Sequence, residues 1–449
     1  MYFFKKFWAA RLSFYHSDHP ISLTHRPNHK VTLPDLCKHL TPSYQPSLVL
    51  FNGHLQTIWT ALRRTEVVVR YKRRIFKAEN DLYPGTFAVD FVSQDDSDVK
   101  QIDSSLPPRT TYYREHDAPT GSLDSTPMLV ALHGVGGGSH EPYVKHVLAP
   151  LVASGWEACV LVSRGCGDTQ LTSPLLYNAR STWDLKQTVA FLRRRFPNRP
   201  LYAVGFSIGA NILVNYLGEE GEKCGVRAAV VCSNPWNLEV VDNALRRSWM
   251  GLYIYSHAMA NGMKQIVQRH AAMILRNRGI AAAAVERIRY FFDFDMAVQL
   301  PMWGYPTRGT YYRDASSVDA VLAVRVPLFA LNAEDDPLAP HEALPFEEFQ
   351  NNPYTVLCTT SSGGHLGWYE AEEQRWFPKP IVSFLETLHH DIDWTKDMKP
   401  ALHLPPATHS FEYNPVCRRI QPTTTADFPG QAEVHTTLSH DRLFITDGL

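Results

Sequence analysis

The chain has 449 residues and is close to electrically neutral, with 44 lysine and arginine residues against 45 aspartate and glutamate residues. This length accommodates one large α/β domain with insertions or two ordinary domains. The balanced charge argues against nucleic-acid binding, which favours a strongly basic surface. The 7 cysteines are scattered and lack a Cys-x-x-Cys pair, which favours free thiols in a reducing compartment. No histidine or cysteine pair has convincing metal-ligand spacing, so we expect no metal and no cofactor.

The first fifteen residues are aromatic and basic and contain no acidic residue. Basic residues interrupt the apolar run, which excludes a secretory or membrane-spanning segment. On a helix, four apolar side chains would share one stripe: Phe4, Trp8, Leu12 and Tyr15. We interpret this start of an N-terminal lead-in segment, residues 1–44, as an amphipathic contact with a membrane or lipid droplet. A frayed tail and a weak mitochondrial presequence are the alternatives.

The residues that follow alternate between strand and helix patterns. Alternating apolar positions at 65–71 and 86–92 predict sheet strands, and the apolar runs at 127–132 and 157–162 predict buried parallel strands. Residues 183–196 predict a helix. Strands that alternate with helices predict a mainly parallel sheet covered by helices on both faces.

A glycine-rich loop at 133–139, His-Gly-Val-Gly-Gly-Gly-Ser, follows the strand at 127–132. Glycines at this place let a backbone N–H group turn toward a developing oxyanion. A phosphate-binding loop is the competing interpretation, but no Gly-Lys-Ser/Thr sequence follows to complete it. A plain flexible loop is the other alternative. We therefore expect the amides of Val135 and Ile208 to form an oxyanion hole.

Residues 205–209, Gly-Phe-Ser-Ile-Gly, lie between an apolar run typical of a strand and a run typical of a helix. A serine between two glycines at such a junction is typical of the nucleophile elbow of α/β-hydrolases. The turn is so sharp that side chains at Gly205 and Gly209 would collide with neighbouring backbone. It raises the Ser207 hydroxyl above the carboxyl ends of the strands. A plain Gly-Ser turn is the alternative for this motif taken alone.

Helical patterns replace strand patterns from about residue 238 to 314, where a cap over the active site belongs. Its aromatic residues and methionines either line an acyl channel or, more commonly, pack the cap onto the core: Trp249, Met250, Tyr253, Tyr255, Met259 and Met263. We place the main domain at 45–398. The proline- and threonine-rich residues 399–449 predict a tail that is disordered or wraps the surface.

Two further loops supply an acid and a base. The strand at 326–333 is followed by Glu-Asp-Asp-Pro, where Asp336 is our candidate acid and Asp335 the alternative. The strand at 354–360 leads to His365 in a glycine-flanked loop, which suits a general base. The chain order serine, aspartate, histidine is the order that this fold imposes, so we predict a catalytic triad with Ser207.

Several separate motifs also resemble one branch of the α/β-hydrolases. They lie in order at 52–59 (Asn-Gly-His-Leu-Gln-Thr-Ile-Trp), 163–167, 172–178, 233–235 and 364–368. This branch holds the fungal medium-chain fatty acid ethyl ester synthase/esterases and the mammalian abhydrolase-domain lipases.

The resemblance covers roughly residues 45 to 390. It implies that Ser207 is the nucleophile, Asp336 the acid and His365 the base, and that the substrate is an acyl ester. The mammalian relatives carry a membrane-spanning segment near the amino terminus, which this sequence does not match.

The expected function is a serine ester hydrolase that acts on medium-chain acyl esters or monoacylglycerols through an acyl-enzyme. An acyltransferase that makes medium-chain fatty acid ethyl esters with the same triad is the alternative. A non-catalytic lipid-binding protein is more distant, because it would be expected to lack a triad member. The expected location is intracellular, on the cytoplasmic side of a membrane or a lipid droplet, with the mitochondrion as the alternative.

Overall fold

The computed structural model describes residues 9–63, 67–94, 105–113, 121–371 and 374–396. The strands in these residues are, in chain order, β1 (Leu12–His16), β2 (Ser22–His25), β3 (His29–Thr32), β4 (Arg70–Lys77), β5 (Thr86–Ser93), β6 (Thr110–Tyr112), β7 (Met128–Leu132), β8 (Glu157–Val162), β9 (Leu201–Phe206), β10 (Ala228–Cys232), β11 (Leu328–Ala333) and β12 (Thr355–Thr360). Ten of them form one sheet in the order β1-β12-β11-β10-β9-β7-β8-β5-β4-β6, and β2 and β3 form a separate hairpin.

The α-helices of the described residues cover both faces of the sheet and fill the segment between β10 and β11. They are α1 (Leu33–Leu40), α2 (Gly53–Leu62), α3 (Pro142–Ala153), α4 (Trp183–Arg195), α5 (Ile208–Glu220), α6 (Leu238–Arg247), α7 (His257–Arg269), α8 (Ala271–Ile274), α9 (Ala282–Glu286), α10 (Phe291–Phe294), α11 (Leu300–Trp303), α12 (Arg308–Ala315), α13 (Phe346–Asn351) and α14 (Pro378–His390).

The centre of the sheet is parallel. Strands β7 to β12 pair in parallel, whereas β1, β4 and β5 run antiparallel to a neighbour. Every residue of β7, β9, β10 and β11 is buried, as expected for a sheet with helices on both faces. The predicted α/β-hydrolase fold is confirmed.

One strand lies later than its sequence pattern suggested. The pattern at 65–71 predicted a strand, but β4 runs from Arg70 to Lys77. Its inward side includes Arg73, which is fully buried and forms an ion pair with Asp90 of β5 at 2.7 Å. The prediction depended on alternating apolar residues, and an arginine at a buried position interrupts that pattern.

The helical stripe expected in the N-terminal lead-in segment is wrong for the residues that the structure describes. Leu12 and Tyr15 belong to β1, which pairs antiparallel with β12, so they do not share a helical stripe. The ring of Tyr15 packs against Phe346, with ring centroids 4.5 Å apart. Residues 21–44 fold onto the same core through the β2–β3 hairpin and α1. Residue 45 is therefore not a structural boundary, because β1 pairs with the open edge of β12 and residues 21–44 pack against the same core. Residues 1–8 lie outside the described residues.

The segment between β10 and β11 is helical, as the expected cap at 238–314 requires. It contains two π-helical turns, Gly251–Ser256 and Asp295–Gln299, and helical residues continue to Ala323. The expected tail at 399–449 lies outside the described residues.

Two further features concern the cysteines and the helices of the described residues. The six cysteines within the described ranges are free thiols. Across those same ranges, none of the helices combines the length and apolar character that crossing a bilayer requires.

Candidate active site

The candidate nucleophile lies at the junction of β9 and α5. Ser207 has φ 54° and ψ −123°, a backbone conformation that costs free energy for any residue except glycine. A Cβ atom at Gly209 would lie 2.4 Å from the His133 carbonyl oxygen, and one at Gly205 would lie 2.7 Å from the Cα atom of Ala210. Both glycines are therefore required by close backbone approach, as the nucleophile-elbow interpretation states.

The structure brings the three predicted triad side chains together. His365 Nε2 lies 2.8 Å from Ser207 Oγ, and His365 Nδ1 lies 2.9 Å from Asp336 Oδ2. A carboxylate only accepts hydrogen bonds, so Nδ1–H donates to Asp336 and Nε2 is free to accept the serine proton. The Asp336 side chain is fully buried and also accepts from the amides of Leu338 and Ala339, at 2.8 and 2.9 Å.

The alternative acid has a different role. Asp335 Oδ1 accepts a hydrogen bond from the Gly364 amide at 2.9 Å. Burial is the largest cause of the raised pKa of Asp335, and the neighbouring charge of Asp336 adds to it. Asp335 therefore stabilises the turn that presents His365, and Asp336 is the carboxylate that contacts the imidazole ring.

The two expected oxyanion donors line the same cavity as Ser207. The amides on either side of Val135 donate to two tyrosine hydroxyls, Tyr143 and Tyr177, each at 2.9 Å. Within the described ranges, the Val135 amide itself has no hydrogen-bond acceptor. Ile208 is the first residue of α5, where backbone N–H groups have no partner inside the helix. Both amides are thus available to a substrate oxygen.

A buried polar network holds the loop that carries Val135. Ser139 Oγ donates to Asp90 at 2.5 Å, and Arg73 bridges Asp90 to the carbonyl oxygen of Gly167, which accepts at 2.6 Å. Burial lowers the pKa of His133 to about 4, so its ring is neutral at pH 7. Because each partner is buried and paired, this network fixes the loop and prepares the oxyanion site.

Helix α2 positions the histidine loop, a role that sequence analysis missed. Thr57 Oγ1 accepts from the His365 amide at 2.9 Å, and Gln56 Oε1 accepts from the Tyr369 amide at 3.0 Å. On the other side, Ser233 Oγ accepts from the Leu366 amide at 3.2 Å. Sequence analysis used the motif at 52–59 only as a family signature. The feature that could have indicated the positioning role was a pair of polar residues on the buried face of a short helix.

A cavity of about 300 Å³ opens from Ser207 and His365 toward the cap. Among the cap residues singled out in the sequence, Met259 and Met263 line it, whereas Trp249 and Tyr253 are exposed. Most of the lining is apolar, but one group of cap residues is polar: Asp242, Asp295, Gln299 and Tyr312. The described part of the chain contains no cluster of three side chains able to hold a metal ion.

A serine, histidine and aspartate in hydrogen-bonded sequence, above a parallel sheet and beside a glycine-rich loop, define the site of an α/β-hydrolase. The family model described as the alpha/beta hydrolase fold matches residues 127–371, more than half of the chain. The chain therefore belongs to the α/β-hydrolase family.

Known relatives support this assignment. A Saccharomyces cerevisiae protein named monoacylglycerol lipase is 35% identical over 403 residues, which cover 84% of this chain and 88% of the relative. Medium-chain fatty acid ethyl ester synthase/esterase 2 from the same yeast is 31% identical over 62% of this chain and 66% of that protein. Phospholipase ABHD3 from Homo sapiens is 28% identical over 75% of this chain and 76% of that protein. The predicted family resemblance is confirmed.

Proposed function

We propose that the protein is a serine ester hydrolase that works through an acyl-enzyme. The observation that carries the proposal is the continuous hydrogen-bonded array from Ser207 through His365 to Asp336, which opens into a cavity. His365 takes the proton of Ser207 as Oγ attacks the ester carbonyl carbon. The amides of Val135 and Ile208 stabilise the oxyanion, the alcohol leaves with the proton from His365, and water then releases the acid.

The proposed substrates are medium-chain acyl esters or monoacylglycerols. A cavity of about 300 Å³ is at the lower end of the range for small-molecule sites, which favours a short or medium acyl chain. The apolar side chains of the cap suit hydrocarbon. The names monoacylglycerol lipase and fatty acid ethyl ester synthase/esterase among the relatives agree with this substrate class.

Alcoholysis is the second candidate, because it uses the same acyl-enzyme. If ethanol or another alcohol attacks in place of water, the product is a new ester, as the name of one relative states for that protein. The choice between water and alcohol depends on which nucleophile reaches Ser207 beneath the cap.

We also propose peripheral contact with a lipid surface beside the cavity entrance. Helix α2 lines the cavity through Thr60 and Ala61 and is preceded by Phe51, which is 63% exposed. In the cap, Trp249 is 68% exposed and follows Leu245, which lines the cavity, by four residues. Flotation with lipid vesicles should decrease in Phe51→Ser and persist in Leu123→Ser, which removes an exposed leucine elsewhere; equal flotation of both variants would contradict the contact.

The test of the proposed function is hydrolysis of p-nitrophenyl esters from acetate to palmitate by the wild type and Ser207→Ala, with and without ethanol. We expect activity to peak at medium chains and to be lost with the serine. Ethyl esters formed in the presence of ethanol would favour the acyltransferase. Activity that survives in Ser207→Ala, or no turnover of any ester by the wild type, would refute the proposal.

A further inference from the structure

The cap side of the active-site cavity contains a polar patch that the proposed reaction does not use. Asp295 and Gln299 begin and end a π-helical turn, and both line the cavity although they are only 2% and 4% exposed. Tyr312 of α12 donates its hydroxyl to Asp295 Oδ2 at 2.6 Å. Turns of this kind occur frequently at functional sites, because they redirect side chains that a regular helix would point elsewhere.

Gln299 supplies an acceptor without a partner. Its Nε2 atom donates to the Tyr177 carbonyl oxygen at 3.1 Å, which fixes the orientation of the side-chain amide. Its Oε1 atom is buried and has no hydrogen-bond donor among the described residues. Buried polar atoms in native proteins nearly always have a partner, so a lone acceptor in a cavity wall indicates a donor that arrives with a ligand.

Asp295 complements this acceptor. Burial raises the pKa of Asp295 to about 7, against the opposing effect of the Tyr312 hydrogen bond. The other charges that act on it are Asp242, which raises the pKa, and Arg308, which lowers it. Below this pKa the second carboxyl oxygen carries a proton and becomes a donor on the same π-helical turn as the Gln299 acceptor. One donor and one acceptor together match a hydroxyl group, which donates once and accepts as well.

We infer that Asp295 and Gln299 form a subsite for a hydroxyl group of the substrate, with Tyr312 positioning Asp295. This inference rests on the proposed ester hydrolysis. The subsite connects to the oxyanion loop through Tyr177, whose carbonyl contacts Gln299 and whose hydroxyl contacts the Gly136 amide. The hydroxyl donates to Gln299 Oε1 and accepts from protonated Asp295. It belongs either to the alcohol part of the ester, such as glycerol, or to the acyl chain.

The test compares esters that differ by hydroxyl groups. We would measure kcat/KM for monooctanoylglycerol relative to ethyl octanoate, and for ethyl hydroxyoctanoate relative to ethyl octanoate. In Gln299→Met, which keeps the side-chain length and removes the acceptor, one of these ratios should fall about tenfold through KM. A fall in the first ratio identifies the alcohol as the source of the hydroxyl, and a fall in the second ratio identifies the acyl chain.

The pH dependence of the affected kcat/KM ratio is a readout that a purely structural role of Asp295 would not produce. In the wild type the affected ratio should fall as pH rises through about 7, where Asp295 loses the proton it donates. In Asp295→Asn, whose amide donates at every pH, the ratio should be flat. Asp314→Asn is the matched control, since Asp314 also accepts a tyrosine hydroxyl at 2.6 Å, from Tyr305. Neither Asp314 nor Tyr305 lines the cavity.

Several outcomes would overturn the inference. Gln299→Met could slow all three esters equally, Asp314→Asn could shift the ratios as strongly, or the pH dependence could persist in Asp295→Asn. Calorimetric binding of octylglycerol ether and octyl ethyl ether provides an arm that needs no turnover. A preference for the glycerol ether that Gln299→Met abolishes would support the subsite for an alcohol hydroxyl even if the wild type hydrolysed no ester, which would refute only the proposed function.

Discussion

The catalytic edge of the sheet and the cap above it are built in different ways. At the edge, backbone contacts fix the groups: Gly209 lies against the His133 carbonyl, and the His365 amide is held by Thr57. In the cap, a π-helical turn carries Gln299, which lines the cavity and whose side-chain oxygen has no hydrogen-bond partner among the described residues. We therefore expect the edge to determine the reaction and the cap to determine which substrates are selected.

The largest effect should separate the two adjacent acids of the catalytic edge. In Asp336→Asn the buried side chain no longer stabilises the imidazolium or selects the correct tautomer of His365, so kcat should fall about 10⁴-fold. In Asp335→Asn the amide oxygen still accepts from Gly364, so the loss should be less than about tenfold. Initial rates of ester hydrolysis measure both variants.

Circular dichroism and thermal melting should show that both asparagine variants fold. Equal losses in Asp335→Asn and Asp336→Asn would contradict the assignment of the acid, and a larger loss in Asp335→Asn would reverse it.

A pair of glycines tests the contrast between the edge and the cap. Gly209→Ala places a methyl group 2.4 Å from a backbone oxygen and should lower the free energy of unfolding by about 3 kcal/mol. Gly262, on the exposed face of the cap helix α7, has no atom within 4 Å of its would-be methyl group. Gly262→Ala should therefore raise the free energy of unfolding by about 0.5–1 kcal/mol. Urea denaturation measures both; a tolerated Gly209→Ala would refute the steric account of the elbow.

Sequence alone identified the parts of the site that are encoded locally. Gly205, Ser207 and Gly209 could be identified because one sharp turn requires these residue types, and all three lie within five consecutive residues. Sequence favoured Asp336 but kept Asp335 as the alternative, because the direction of each carboxylate depends on a turn whose geometry forms only with the folded loop.

Features that depend on distant contacts were missed. Strand β1 forms because β12 offers an open edge, which the local pattern around Tyr15 does not reveal. Thr57 meets His365 across 308 positions of the chain. Asp295 and Gln299 become a polar patch only because the cap folds over Ser207, so no short motif predicts them.

Asp295 should make stability depend on pH. Burial raises its pKa to about 7 in the folded protein, above the value of about 3.9 in an unfolded chain. Between these values the folded state binds a proton that the unfolded state does not, so stability is full at low pH and is lost as pH rises through 7. We expect this group to cost about 3 kcal/mol between about pH 5 and about pH 8.

Asparagine mimics the protonated carboxyl, so the stability advantage of Asp295→Asn over the wild type should be about 3 kcal/mol larger near about pH 8 than near about pH 5. The free energy of unfolding in urea at both pH values measures the difference, in which all other titrating groups cancel. Parallel pH profiles of the two proteins would show that the Asp295 pKa is not raised.

The smallest effect concerns the positioning of the general base. Thr57→Val removes the acceptor of the His365 amide and should lower kcat about tenfold with little change in KM, because the substrate still binds and only the histidine is displaced. Thr57→Ser, which restores the hydroxyl, should recover the rate. Thr41→Val is the matched control, since Thr41, at the end of α1, and Thr57 each donate the hydroxyl to the carbonyl four residues earlier at 2.7 Å, and Thr41 does not line the cavity. If Thr41→Val slowed the reaction as much, the loss would reflect a weakened fold, and α2 would have no specific role in positioning His365.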